Sequence, residues 1–139
     1  MDILSPFQIA LSLLVSFEPE LMGIIGLSLG VSLTAVGISL VIGLPLGALL
    51  AAYRFPGRGA IIVISNTFLG MPPVVVGLVI YLLVSRAGPF GFLGILYTPA
   101  AMMLAQTILV LPIAIALSRQ VFEALNAEYA PLFLSLIHI

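Results

Sequence analysis

The sequence predicts an all-α integral membrane protein, with an N-terminal interfacial helix followed by three transmembrane helices. Charged residues make up 6% of its 139 positions, against about 25% in an ordinary globular domain. Apolar residues make up 63%, which leaves too little polar surface to cover a water-soluble body of this size. The charges fall at Asp2, Glu18, Glu20, Arg54, Arg58, Arg86, Arg119, Glu123 and Glu128. Between them lie three uncharged stretches, 21–53, 59–85 and 87–118, each longer than the roughly 20 residues that a helical crossing needs.

The run from Pro6 to Phe17 is apolar, but as a helix it reaches only about 18 Å, short of a hydrocarbon core near 30 Å. Its flank carries Asp2 and no Lys or Arg, unlike the basic start of a signal peptide. It therefore reads as a helix lying in the interface, with Ser5 as N-cap and Pro6 at the first helical position.

The first span is rich in glycine. Gly26, Gly30, Thr34 and Gly37 share a helical face, and Gly43 and Gly47 repeat the four-residue spacing. Small residues at this spacing let a second backbone approach closely, although glycine is common in membrane helices generally. Pro45 predicts a kink. In the second span, Met71-Pro72-Pro73 sits at the middle, so the helix should break at mid-membrane depth. Freed backbone groups in lipid need protein or a water-filled cavity to receive them. The break is thus either the lining of a solute pathway or a packing kink re-satisfied by Ser65, Asn66 or Thr67.

Arg86 to Pro99 reads as a Gly- and Pro-rich connection that places Phe90, Phe92 and Tyr97 at headgroup level. Thr98-Pro99 reads as the N-cap and first residue of the third span, which carries Gln106, Thr107 and Pro112. A glutamine at that depth serves interhelical hydrogen bonding or a solute. Beyond it, Val121, Phe122, Leu125, Tyr129 and Leu132 recur at helical spacing, and Arg119 and Glu123 form an i,i+4 pair. This predicts a short amphipathic helix, interrupted near Pro131, that docks on a partner or on the membrane surface. Arg54, Arg58 and Arg119 fall on one side and Arg86 on the other. The positive-inside rule then puts the N-terminus outside and the C-terminal segment in the cytoplasm.

Composition also excludes chemistries. The chain has no Lys and no Cys, and its single His is His138. A Walker A loop, a Schiff base, thiol catalysis and a thiolate metal site are therefore impossible in it. The spans hold no ionisable group of the kind that proton- or sodium-coupled carriers use, and no basic patch suits nucleic acid. No catalytic residue, metal ligand or cofactor site is expected. What remains is a conduit driven by another chain.

Ordered along the chain, several segments resemble the membrane subunit of type I ABC importers, and within that family the tungstate permeases, with molybdate and sulfate permeases as near relatives. The segments are Thr34 with Gly43-Leu44-Pro45-Leu46-Gly47-Ala48-Leu49-Leu50-Ala51, then Gly70-Met71-Pro72-Pro73-Val74-Val75-Val76-Gly77-Leu78. Ser85-Arg86-Ala87-Gly88-Pro89-Phe90-Gly91-Phe92-Leu93-Gly94, Tyr97-Thr98-Pro99-Ala100 and Ala105-Gln106-Thr107 through Leu111-Pro112-Ile113 continue the series. The resemblance implies a homodimer of permease chains, cytoplasmic ABC ATPase subunits that hydrolyse ATP while the permease itself is no enzyme, and an extracytoplasmic oxyanion-binding protein. It implies a bacterial or archaeal plasma membrane as the site. Asn66, Thr67, Pro72, Pro73 and Gln106 are the candidate translocation-pathway residues, and Glu123, Glu128 and Tyr129 the candidate ATPase-coupling residues.

The resemblance divides the chain into residues 1–20, an interfacial segment; 21–133, the N-terminal part of the transmembrane domain; and 134–139, an artefactual or truncated tail. The tail replaces the family's coupling glycine with Ile137-His138-Ile139 and resembles translated sequencing adaptor. The alternatives are a helical membrane scaffold that assembles with other chains, or a non-functional fragment. A channel is a more distant third, since no charged ring or carbonyl filter is visible.

Overall fold

The computed structural model describes residues 3–138; Asp2 and Ile139 lie outside the described residues. Its helices are α1 (Leu4–Val15), α2 (Pro19–Ala52), α3 (Arg58–Gly70), α4 (Pro73–Val84) and α5 (Pro99–Ile137), with a 3-10 turn at Gly91–Leu93. There is no strand among the described residues. α2 and α5 are each long and apolar enough to cross a membrane, and α3 with α4 forms a third candidate span, bent by 110°. The protein is an all-α, multi-pass membrane protein.

α1 opens at Leu4 after Ile3, so Ser5 lies inside the first turn and is not the N-cap the sequence suggested. The helix is exposed along its whole length. The Ser12 and Ser16 hydroxyls donate to carbonyls of their own helix, at 2.8 Å to Ile9 and 3.2 Å to Leu13. Phe17, at φ 50°, turns the chain into α2, whose first position is Pro19.

α2 buries Val31, Ala35, Ser39, Gly43, Gly47 and Leu50, a stripe of nearly constant four-residue spacing. That stripe is an i±4n ridge rather than a heptad seam, and it lies against α5. At the crossing there is no room for side chains. A Cβ on Gly43 would stand 2.8 Å from that of Ala114, and one on Gly47 would stand 2.9 Å from the Arg119 backbone nitrogen. The buried Ser118 hydroxyl donates within this contact, lying between the Ala114 carbonyl of its own helix and the Gly43 carbonyl, 3.2 Å away. Ser39, fully buried, points its hydroxyl at the Thr107 carbonyl at 3.5 Å.

The pairing of Ser39 with Thr107, Gly43 with Ala114 and Gly47 with Ser118 ascends in both helices, so α2 and α5 run parallel. Residues 53–98 must therefore carry the chain back along the bundle. That makes the α3–α4 pair a broken span on the return path.

Two prolines explain the break. A residue before proline is pushed out of the α region toward extended backbone. Met71 precedes Pro72 and Pro72 precedes Pro73, and their ψ values are 132° and 134°. At the other end of α3, Phe55-Pro56-Gly57-Arg58 is a type II turn with proline second and Gly57 third at φ 91°. It is closed by the Arg58 N–H on the Phe55 carbonyl at 3.2 Å.

α5 differs from the sequence expectation. The amphipathic segment is no separate helix: one helix runs from Pro99 to Ile137 through both Pro112 and Pro131. Each proline removes a single ladder bond, and the apolar stretches on either side keep the helical path. Thr98 and Pro99 do stand at its N-cap and first position, but the Thr98 hydroxyl donates backward to the Ile95 carbonyl rather than capping the helix.

Candidate functional site: the broken span and the two ends of the bundle

The break sits beside a small apolar core. Val76, Ile80 and Val84 on α4 form a buried cluster, packed against Phe68 and Met71 below the break and against Ala105 and Leu109 on α5. The Pro72 carbonyl accepts from the Val75 and Val76 N–H groups at 3.0 and 3.4 Å, so the first turn of α4 is anchored to the break itself. Further along α4 a cavity of about 380 Å³ opens toward α5, lined by Gly77, Ile80 and Val84 on one wall and Ala101, Met102 and Ala105 on the other.

Of the candidate pathway residues, Pro72 and Pro73 form the break and are exposed. Asn66 and Thr67 occupy the exposed face of α3, where the Thr67 hydroxyl donates to the Val63 carbonyl at 2.7 Å. Gln106 is half-buried on α5. The cavity further along α4 is lined by other residues, and these five side chains do not converge on it.

The glycines divide into two groups. Gly43 and Gly47 are filled against α5, whereas Gly26, Gly30 and Gly37 have open space where a Cβ would stand. Thr34 donates to the Gly30 carbonyl at 2.6 Å. A small-residue face on the first half of α2 is thus uncovered in the single chain.

One end of the bundle is clasped by charge. Glu123 on α5 accepts from Arg119, one turn earlier, at 2.7 Å and from Arg58 at the start of α3 at 2.9 Å. Arg58 also donates through Nε to the Leu50 carbonyl at 2.7 Å, which satisfies one of the unpaired carbonyls at the end of α2. The clasp joins α2, α3 and α5. Among the candidate coupling residues, Glu123 is therefore engaged inside the bundle, while Glu128 and Tyr129 are exposed further along α5. The i,i+4 pair was legible in the sequence; the Arg58 partner was not.

At the opposite end, Tyr97 holds a left-handed backbone, φ 62°, uncommon for a bulky residue. Side-chain hydrogen bonding from Tyr81 on α4, and then the charge of that neighbouring hydroxyl, raise the Tyr97 pKa above its ordinary value. The fold places this pair by crossing from α4 to the turn before α5, a relation that leaves no periodic trace in the sequence.

No family model and no solved structure matches the chain. Among curated proteins, the tungstate uptake system permease protein TupB of Peptoclostridium acidaminophilum is 40% identical over 122 residues, covering 88% of this chain and 54% of that protein. A Haloferax volcanii protein named "Probable anion ABC transporter permease protein" is 40% identical over 108 residues, 78% of this chain and 47% of its own length. The sulfate transport system permease protein CysW of Escherichia coli is 34% identical over 74 residues, 53% of this chain and 25% of the relative. The chain spans about half the length of the first two relatives.

Proposed function

This chain belongs with the ABC-transporter permease proteins of tungstate and anion uptake over the residues it shares with them, and on that premise we propose that it serves as a membrane-spanning permease subunit of an ATP-driven oxyanion importer. The observation that carries the reading is the likeness through 88% of the chain to a tungstate permease, together with a span broken at Pro72-Pro73.

In this reading two permease chains pair in a plasma membrane, surrounded by lipid. Cytoplasmic ABC ATPases bind near Glu123, Glu128 and Tyr129, and an extracytoplasmic protein delivers the anion. The N-terminus lies outside and the clasped end of the bundle is cytoplasmic, as three of four arginines favour. ATP-driven closure acts through the clasp on α3 and moves the break, with Asn66, Thr67, Pro72, Pro73 and Gln106 near the passage. Transporter sites near the midplane are typically formed by discontinuous helices, and the α3–α4 pair is one. The open face of Gly26, Gly30 and Gly37 suits a second helix.

The test is disruption of the gene in its own host, with tungstate uptake measured at limiting concentration and the tagged protein purified from membranes. Loss of uptake and co-purification of an ABC ATPase are expected. Unchanged uptake with an unrelated complex on the tag would overturn the permease reading in favour of a membrane scaffold.

A further inference from the structure

Arg86, like Arg54, is set apart from the paired arginines. Arg58 and Arg119 meet Glu123, and no ion pair involves Arg86 among the described residues. It lines a cavity of about 420 Å³ together with Tyr81, Ser85, Gly91, Gly94 and Tyr97. Tyr81 and Tyr97 also line the apolar cavity toward α5, so the two phenols stand between the two cavities, and both, like Arg86, are exposed.

The connection that carries Arg86 is built tightly. Gly88 donates to the Ser85 carbonyl at 2.8 Å, and Phe90 donates to the Leu83 carbonyl at 2.9 Å, folding the loop back over the end of α4. A Cβ on Gly88 would stand 2.2 Å from the Leu82 carbonyl oxygen, and one on Gly91 would stand 2.9 Å from the Arg86 Cα. Main chain rests on main chain on both sides of Arg86, so the origin of its side chain is fixed. Opposite it, Tyr97 is held in a strained backbone conformation, a feature that collects at functional sites. The Ser85 hydroxyl is already spent on the Leu82 carbonyl at 3.0 Å.

We propose that Arg86, with the Tyr81 and Tyr97 hydroxyls that line the same cavity, forms an oxyanion-binding site there. A guanidinium presents two parallel N–H groups to an O–X–O edge, and a phenol O–H from Tyr81 or Tyr97 in the same lining supplies a third donor. The chamber is large enough for a tetrahedral anion. The same chemistry suits the phosphoryl group of an anionic lipid, because this end of the bundle lies where headgroups would be. The site stands on local geometry; only its place in an uptake route rests on the permease reading.

The chain has no tryptophan, and two of its four tyrosines line the site, so tyrosine emission responds to its occupancy. The protein is placed in nanodiscs of neutral phosphatidylcholine and titrated with sodium tungstate, with sodium chloride at matched ionic strength as the blank. A saturable change is expected. Arg86→Gln should weaken it at least tenfold, Tyr81→Phe severalfold, and Arg54→Gln, at the other end of the bundle, should leave it unchanged; circular dichroism checks that each variant keeps its helix content.

In a second arm, nanodiscs containing phosphatidylglycerol are analysed by native mass spectrometry. Retained phosphatidylglycerol that Arg86→Gln releases, with no tungstate response, supports the oxyanion site with a headgroup as its occupant. If Arg86→Gln leaves both the tungstate response and lipid retention as in the wild type, or if neither ligand binds the wild type, the proposal falls. Arg86-dependent tungstate binding in a protein whose disruption leaves uptake intact would instead keep the site and overturn the permease reading.

Discussion

Arg58 and Glu123 lie 65 residues apart in the chain and meet at 2.9 Å, where the same guanidinium holds the Leu50 carbonyl through its Nε. One side chain thereby closes the end of α2, opens α3 and ties both to α5. The partners are partly exposed, at 27% and 38%, so water screens the pair and its value comes from joining three helices more than from Coulomb attraction.

A double-mutant cycle on Arg58→Ala and Glu123→Ala should give a coupling energy of about 1 kcal/mol, near the top of the range for exposed pairs because Arg119 shares the carboxylate. The coupling should shrink as salt is raised. Thermal unfolding in detergent measures both. A coupling indistinguishable from zero at low salt would show that the clasp does not hold the bundle.

Gly47→Ala should destabilise the fold by about 1–3 kcal/mol, because the new methyl is driven into Ser118 and the α5 backbone. Gly26→Ala meets open space, and by itself should favour the helix by about 0.5–1 kcal/mol. Crosslinking in native membranes adds the second reading. If the open face carries another copy of the chain, Gly26→Ala should lower the crosslinked dimer while monomer stability is kept.

Tyr81→Phe should return the Tyr97 pKa toward the ordinary tyrosine value near 10, since the hydrogen bond to Tyr81 is the first cause of its rise. The sign follows from the neutral phenol being favoured in the fold: the contribution is present below pH 10 and is lost as pH climbs through the raised value. Tyrosinate absorbance across an alkaline titration reads the shift. A Tyr97 midpoint that does not move would exclude the hydroxyl pair as its cause.

Replacing Pro72 and Pro73 together by alanine restores two N–H donors and removes the bias that holds Met71 and residue 72 extended. A spin-label pair at Val63 and Val79 should then separate toward the roughly 24 Å expected of a continuous helix. An unchanged separation would mean that packing of Phe68 and Met71 on α4, rather than proline sterics, sets the 110° bend.

Much of this architecture was legible in the sequence because it is local. The charge-free stretches mark α2, the broken pair and α5, and Met71-Pro72-Pro73 marks the break through a rule that acts on adjacent residues. Thr98-Pro99 marks the start of α5 for the same reason. The continuity of α5 was not legible, because proline rules describe the bond that is lost and not the apolar helix on either side that carries the path onward. Nor was the division of the α2 glycines between Gly43 and Gly47 on α5 and Gly26, Gly30 and Gly37 on an open face, since all share one spacing. Arg58 with Glu123, and Tyr81 with Tyr97, come together only through tertiary geometry.

Where Gly43 and Gly47 meet Ala114 and Ser118, α2 contributes no side chain to the contact, and a surface that smooth on one side suits a pivot. Along α5, Glu123 lies about 8 Å from Ser118 on one side of it, and Pro99 about 28 Å away on the other. A rigid tilt about this fulcrum that moves the clasped end by about 1 Å swings the far end through about 4 Å. The short arm is the one that carries the charge cluster, so a small push there is amplified at the tyrosine end.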